Sequence, residues 1–410
     1  MRMEYDRWQK AAVLEALATR RVTIIAGARQ SGKTTLAKQI VKQNDIFRTL
    51  DDTAMLKAAL SDPRGFVKHA RGTMVIDEIQ KAPLLLTAIK QQVDEDNSPG
   101  QFLLTGSADL YSLPEVTESL AGRVTNIRLR PLTVGEILRR KPNFLDMTFK
   151  RTWPIQIKGY DKAKVIGIAF RGGYPEALHF SKRRRKAWHN DYVRTLLARD
   201  LEDIANIRRR NVMADLLEIL AAWSGKFMDI AGICRALPIA KSTLETYVNL
   251  LLALYLFERV RPWLRTDYDR VGRRDKIYAT DTGFLTSVLS WRLDDVTLDP
   301  DRSGKIVETL VFNELSAQIG LGHEYSLSQY RDYKGREVDF IVENDAGEVV
   351  GIEVKAGSMA SSDDCKHMVW FKNNVVKDKP FTGVVLYTGE NTLPLGKDMF
   401  AVPIAALWAC

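Results

Sequence analysis

The chain has 410 residues, with 60 Lys and Arg against 51 Asp and Glu, for a formal net charge of +9. At roughly 100–200 residues per domain, this length corresponds to about two to four domains, each able to bury a core. A hydrophobic fraction of 45% with 27% charged residues excludes wholesale disorder, and the basic balance admits a polyanionic partner.

Trp8–Leu17 reads as a short amphipathic helix, with Trp8, Ala11, Ala12 and Ala16 on one side. Arg21–Ala26 follows as a buried apolar strand, and Gly27 opens a turn into a helix over Lys33–Gln43. Two more apolar strands, Thr73–Ile76 and Gln101–Leu104, flank a helical stretch over Leu84–Asp94. Continuous apolar strands alternating with helices predict a parallel sheet covered on both faces. The pattern fades after Arg130-Pro131-Leu132, and residues 146–205 read as helical and charged.

Further on, helices are expected at Val212–Trp223, Ile230–Leu237 and, after Pro238, Ser242–Phe257. A strand at Arg259–Trp263, a basic stretch Tyr268–Lys276 and a strand at Ile277–Ala279 follow. Three short helices and a basic hairpin are the layout of a winged helix-turn-helix. The last third holds a helix over Ile306–Gln318 and strands at Glu337–Val342 and Val349–Val354. The longest apolar run, Leu250–Phe257, is far short of the roughly 20 residues of a membrane helix. Glu4, Asp6 and Glu15 interrupt the N-terminal apolar positions, so no signal peptide is expected. Cys234, Cys365 and Cys410 form no CxxC pair and no disulfide framework, which points to a reducing cytoplasm. His69, His179, His189, His323 and His367 show no ligand spacing, so no metal is assigned to them.

Gly27-Ala28-Arg29-Gln30-Ser31-Gly32-Lys33-Thr34, followed by Thr35, matches G-x-x-x-x-G-K-[ST] between a strand and a helix. The glycines let backbone N–H groups wrap phosphates, Lys33 reaches the β and γ oxygens, and Thr34 offers a hydroxyl to Mg²⁺. ATP with Mg²⁺ is therefore the expected ligand. The strand Thr73–Ile76 ends in Asp77 and Glu78; Asp77 would hold the Mg²⁺ shell and Glu78 would polarise the attacking water. In NTPases with the glutamate on this strand, the next strand lies between the first and third and carries a polar sensor. Thr105 or Ser107 fits that role.

These runs, with Asp77-Glu78-Ile79-Gln80, Leu104-Thr105-Gly106-Ser107, Leu120-Ala121-Gly122-Arg123, Gly172-Gly173-Tyr174-Pro175-Glu176 and Glu337-Val338-Asp339-Phe340, resemble one group of AAA-type ATPases. Its bacterial and archaeal members carry a C-terminal domain of unknown function that looks like a PD-(D/E)XK nuclease. The resemblance covers nearly the whole chain. It implies a nucleotide-dependent motor or switch that forms a homo-oligomer, a hexamer being one form. It also makes Arg123 the candidate arginine for sensing the γ-phosphate, often from a neighbouring subunit, with Arg29 a weaker candidate.

From Ser181 to Asp275 there are 19 Lys and Arg against 12 Asp and Glu, so +7 of the chain's +9 lies there. Arg183-Arg184-Arg185-Lys186, Arg208-Arg209-Arg210 and Arg273-Arg274 are the clusters, suited to phosphate contact. Lys241, Ser242, Thr243 and Glu245 would face a groove, with Arg270, Arg273 and Arg274 on the wing. In the last third, Asp339, Glu353 and Lys355 form D…E-x-K, with Glu308 a possible fourth member. Carboxylates on a divalent cation with a nearby lysine suit phosphodiester hydrolysis, which would make Asp339 and Glu353 metal ligands. A loop of Asp345-Ala346-Gly347 with Gly347 left-handed pairs 344 with 348, and hence 339 with 353.

The expected architecture is α/β. It comprises an AAA-like P-loop core over 1–145, a helical lid over 146–205, a winged helix over 206–290 and a nuclease-like α/β domain over 291–410. The expected function is a Mg²⁺-dependent, cytoplasmic ATPase acting on duplex or junction DNA, with no membrane partner. A nucleotide-controlled switch with protein partners, or an ATP-gated endonuclease, are the alternatives.

Overall fold

The structure is a computed structural model that describes residues 5–69, 72–107, 122–196, 210–264, 274–322 and 324–410. It divides into two compact units, Met1–Pro131 with Ala253–Leu256, and Leu132–Leu252 with Phe257–Cys410.

The first unit is built on five parallel strands: β1 (Val22–Ala26), β2 (Ile46–Thr49), β3 (Met74–Asp77), β4 (Phe102–Gly106) and β5 (Val124–Arg128). Their order is β2-β3-β4-β1-β5. The three inner strands, β3, β4 and β1, are buried along their whole length, as their unbroken apolar runs require. On one face Ile25, Val75, Leu103 and Ile127 pack with Val13 of the helix Gln9–Thr19 and with Leu36, Ala37 and Ile40 of the helix Lys33–Ile40. The strand after β3 inserts between β1 and β3, as expected. Two strands have no counterpart in the sequence reading, β2 and β5, and both lie at the edges. An edge strand faces water along part of its length, so Arg48, Thr125, Asn126 and Arg128 replace the apolar run that marks the interior.

In the second unit, helices at Phe144–Lys150, Lys162–Arg171 and Lys182–Thr195 precede three more at Arg210–Ala222, Ile230–Ala236 and Lys241–Ala253. With these last three goes a small antiparallel sheet of β6 (Lys226–Phe227), β7 (Phe257–Val260) and β8 (Lys276–Ala279), in the order β6-β8-β7. The third of these helices ends four residues before the expected Phe257, and the chain then passes through Tyr255 at a left-handed φ of 59°. The next strand accordingly starts at Phe257 and not at Arg259.

The long helix Pro300–Ile319 starts with Asp299 accepting from the N–H groups of Asp301 and Arg302, a cap that satisfies two of its free donors. It covers a six-stranded mixed sheet of β9 (Tyr325–Arg331), β10 (Glu337–Asn344), β11 (Val349–Lys355), β12 (Phe381–Tyr387), β13 (Leu393–Gly396) and β14 (Met399–Pro403). The order is β13-β14-β12-β11-β10-β9. Ile306, Leu310, Phe312, Phe340, Val342, Ile352 and Val384 form the core beneath the helix. Ile341, Val349, Met368, Phe371 and Val385 form a second core on the opposite face.

The β10–β11 hairpin has the expected loop. Phe340 pairs with Ile352 and Glu343 with Val349, Asn344 N–H bonds Glu348 O at 3.1 Å, and Gly347 is left-handed at φ 77°. One feature departs from simple alternation. Between Val338 and Ile341 the register of β10 against β9 slips, so Val338 and Ile341 share one core while Phe340 and Val342 share the other. Asp339 thus sits at a β-bulge, a device that re-aims a side chain. Among the described residues no helix is long and apolar enough to cross a membrane.

Glu314, on the long helix, is buried; its Oε1 accepts the Val134 N–H at 2.7 Å and its Oε2 has no hydrogen-bond partner among the described residues. Burial, with a contribution from the nearby Glu136 carboxylate, pushes its carboxyl up to about 8. An acid held above its unfolded value stabilises the fold fully below that value and loses the contribution as pH rises through the folded one. Stability should therefore fall between pH 4.5 and about 8 by an amount on the order of a few kcal/mol. Glu314→Gln, which mimics the protonated acid, should flatten that decline in urea unfolding measured across this range.

Candidate functional site

The loop between β1 and the helix Lys33–Ile40 is shaped by close approach. A Cβ on Gly27 would lie 2.1 Å from Leu129 O, and Gly32 caps the helix at φ 101°, a conformation glycine adopts without strain. Arg7 donates to Ser31 O at 2.8 Å and to Arg130 O at 2.6 Å, pinning the loop to the chain leaving β5. Lys33 Nζ donates to Gly27 O and Ala28 O at 3.0 and 2.9 Å. The ammonium is thereby folded over the mouth of its own loop. The buried Ser31 hydroxyl, in the same loop, has no hydrogen-bond partner among the described residues.

Asp77, at the end of β3, is the hub of the site. Its Oδ1 accepts from Thr34 at 2.9 Å and from Thr105 at 2.6 Å, and its Oδ2 from Thr49 at 3.2 Å. Adjacent strands supply two of these hydroxyls: Thr49 ends β2, and Thr105 lies near the end of β4. Glu78 follows in the left-handed region at φ 60°. A non-glycine residue there costs of order 1–3 kcal/mol and persists only where surroundings impose it. Those surroundings are visible: Glu78 N–H donates to Thr105 Oγ1 at 3.1 Å, and the Gln80 amide donates to the Glu78 carboxylate and to Ser107 Oγ, the latter at 2.9 Å. Both sensor candidates thus touch the acidic pair, Thr105 directly and Ser107 through Gln80. The sequence gives no role to Thr49 or Arg7, and Gln80 stands in it only as the last residue of the Asp77-Glu78-Ile79-Gln80 run. Gln80 three residues beyond Asp77 was the one readable signal, since a short amide there can fold back on the acids.

Arg123 is not brought to this loop. It immediately precedes β5, at the opposite end of the parallel sheet, and its Nε pairs with Asp94 Oδ1 at 2.5 Å while Nη2 bonds Oδ2 at 3.2 Å. Five strand residues at roughly 3.3 Å each separate it from the loop end of the sheet.

The candidate groove residues Lys241, Ser242 and Glu245 are exposed and Thr243 is half-buried, with Leu244, Tyr247, Val248 and Leu251 of the same helix turned to the core. Arg183, Arg184 and Lys186 are also exposed, whereas Arg185 is held by the carbonyls of Ala177 and Phe180. Arg208, Arg209, Arg270 and Arg273 lie outside the described residues; Arg274 faces Asp229 at 3.8 Å.

Asp339 of the D…E-x-K pattern and the possible fourth member Glu308 meet on a group that the sequence does not mark, while Glu353 and Lys355 pair with each other. Lys276 of β8 is 1% exposed, with its Nζ 3.1 Å from Glu308, 2.5 Å from Glu337 and 3.0 Å from Asp339. Tyr278 donates to Glu308 at 2.6 Å, and Asp339 Oδ2 accepts the Val354 N–H at 3.0 Å. Lys355 pairs with Glu353 at 3.0 Å. Burial acts to lower the Lys276 ammonium, but Glu308, Asp339 and Glu337 outweigh it and hold it well above its ordinary value. Burial and the Asp339 charge push the Glu353 carboxyl up, and burial does the same to Glu308. Among the described residues, no group of three or more His, Cys, Asp or Glu is placed to hold a metal ion.

Residues 19–138 match the family model for an AAA domain. Residues 163–295 match a domain of unknown function (DUF8612), and residues 303–407 a second (DUF4143). Two curated proteins described as uncharacterized, from Mycobacterium bovis and Mycobacterium tuberculosis, are each 28% identical over 408 residues, covering 98% of this chain and 84% of theirs. Among solved structures, a Thermotoga maritima RuvB Holliday junction branch migration motor aligns at 18% identity and a TM-score of 0.27, over 62% of this chain and 88% of that one. A signal transduction ATPase with numerous domains from Pyrococcus horikoshii aligns at 12% identity and 0.21, over 78% and 49%. Scores this low carry nothing about activity. The match over residues 19–138, the glycine-lysine loop and the parallel sheet together give the N-terminal part of the chain the fold of a P-loop domain, similar to those of the AAA type.

Because Thr105 serves both Asp77 and Glu78, Thr105→Val should lower nucleotide turnover about ten- to a thousandfold while nucleotide binding persists. Steady-state phosphate release alongside equilibrium binding of a fluorescent nucleotide checks both halves.

Proposed function

We propose that this chain is a Mg²⁺-dependent, cytoplasmic ATPase that works on duplex or branched DNA as a homo-oligomer, with a hexamer as one form. The observation that carries the hydrolytic part is the Asp77 carboxylate, tied to the Thr34 hydroxyl in the first turn of the helix after the loop and to the strand hydroxyls of Thr49 and Thr105. Hard oxygen donors beside a phosphate loop suit Mg²⁺. Thr34 and Asp77 would hold that ion, which when bound neutralises charge on the β and γ phosphates. Lys33 would exchange its two loop carbonyls for phosphate oxygens, and the unpartnered Ser31 hydroxyl would turn towards the same anion. Glu78, oriented by Gln80 and Thr105, would take up a proton from the attacking water. From its end of the sheet Arg123 would serve a neighbouring protomer's nucleotide, released from Asp94.

The DNA part rests on the element order helix–β6–helix–helix–β7–β8, the order of a winged helix, with Lys241 and Ser242 exposed at the start of its third helix. It also rests on the basic excess of residues 181–275. The helix–β9–β10–β11–helix–β12 succession supports reading the last domain as PD-(D/E)XK-like, which would add to the DNA grip.

Lys33→Ala should reduce ATP turnover at least about a hundredfold; unchanged turnover would exclude this loop as the site. Binding to duplex, single-stranded and four-way-junction DNA, titrated with salt and with or without ATP, tests the partner. The expectation is a log–log slope that reports several phosphate contacts, steepest for duplex or junction DNA. Negligible binding to all three would favour the switch with protein partners.

A further inference from the structure

A divalent ion and the C-terminal acidic cluster do not fit together as the chain is folded, and the misfit has a single cause. Glu308 comes from the long helix, Glu337 and Asp339 from β10, and Glu353 from β11. The point on which the first three converge is filled by the Nζ of Lys276, within 3.1 Å of each carboxylate. An ammonium there supplies the positive charge that an ion would supply, and its hydrogens take the oxygens that an ion would use. Lys276 is 1% exposed, so it cannot swing away as a surface lysine would. Its strand is held: Ala279 N–H bonds Ser224 Oγ, whose partner is Thr309 on the same long helix, and the Tyr278 ring stacks on Phe312.

We propose that Lys276 is a tethered cation that keeps the acidic cluster of the C-terminal sheet closed to divalent metal, so that the domain is locked in a non-cutting form. The lock rests on the reading of this domain as nuclease-like. Glu353 and Lys355, the remaining pair of the motif, are left to neutralise one another at 3.0 Å. Opening the cluster requires β8 to shift against the long helix and β10, because a fully buried side chain has no room to leave its three carboxylates by rotation. In sequence, Lys276 directly follows the basic excess of residues 181–275 on which the proposed DNA contact rests.

The test uses the full chain without nucleotide, with Mn²⁺ as the probe. Lys276→Met keeps the length of the side chain and removes the charge. Its Mn²⁺ affinity, read by titration calorimetry, should rise at least about tenfold over wild type, and Asp339→Asn added to it should abolish the gain. A folded Lys276→Met chain whose Mn²⁺ binding equals that of wild type would overturn the proposal. So would wild type that already binds Mn²⁺ in a manner lost on Asp339→Asn. If the carboxylates left behind prevent Lys276→Met from folding, the double variant Lys276→Met/Glu337→Gln removes one of them and is judged by the same two results. Cleavage of supercoiled plasmid separates the lock from the nuclease reading. Gained Mn²⁺ binding with cleavage supports both, whereas gained binding without cleavage upholds Lys276 as the bar to metal and rejects the nuclease reading together with its non-cutting form.

Discussion

A lysine ammonium buried to 1% exposure has to meet negative charge, and meeting it dictates how much of the second unit is arranged. Taking an ion out of water costs several kcal/mol even after relaxation, and a buried charge left without partners destabilises by about 3–5 kcal/mol. Lys276 offsets that cost with Glu308 on the long helix and with Glu337 and Asp339 on β10. The small sheet, the long helix and the hairpin must therefore come together at one point. Apolar packing reinforces the same meeting. Tyr278, two residues on and on the same face of β8, stacks on Phe312 with centroids 4.4 Å apart and lies 5.4 Å from Phe340. Ionic and apolar contacts thus join the same three elements.

In the first unit the comparable constraint is strand order. Because β4 enters between β1 and β3 while β2 flanks β3, the chain ends that carry Thr49, Asp77 and Thr105 emerge side by side. The loop leaving β1 brings Thr34 to the same carboxylate. No pair of these residues is adjacent in sequence, yet three hydroxyls converge on one aspartate. That convergence, and the Gln80 clamp, hold Glu78 in a left-handed conformation that it would leave if unsupported.

Much of this is legible in the sequence. The inner strands show as apolar runs, the loop by its glycine and lysine spacing, and the β10–β11 loop by Gly347 in the place where a left-handed residue is required. What escaped reading shares a cause. Strands β2 and β5 lie at sheet edges and carry polar residues on their wet sides, so period and hydrophobicity do not mark them. The bulge at Asp339 breaks the two-residue alternation on which any argument about faces depends. Lys276 was read as the last residue of a basic stretch, a description that fits a solvated cation, whereas it is among the most buried side chains in the protein.

The sequence by itself determined the local pattern: which residues form the glycine-lysine loop, which strands are interior, where a hairpin must turn. These depend on spacing and on side-chain type within a few residues. Only the tertiary structure decided which charges meet. Lys276 and Glu308 are 32 positions apart and Lys276 and Asp339 63, and a charge's partner is set by distance in space and by loss of water, neither of which is written in local pattern. Asp339, which with Glu353 spells a metal site in one dimension, is in three a counter-ion of a buried lysine.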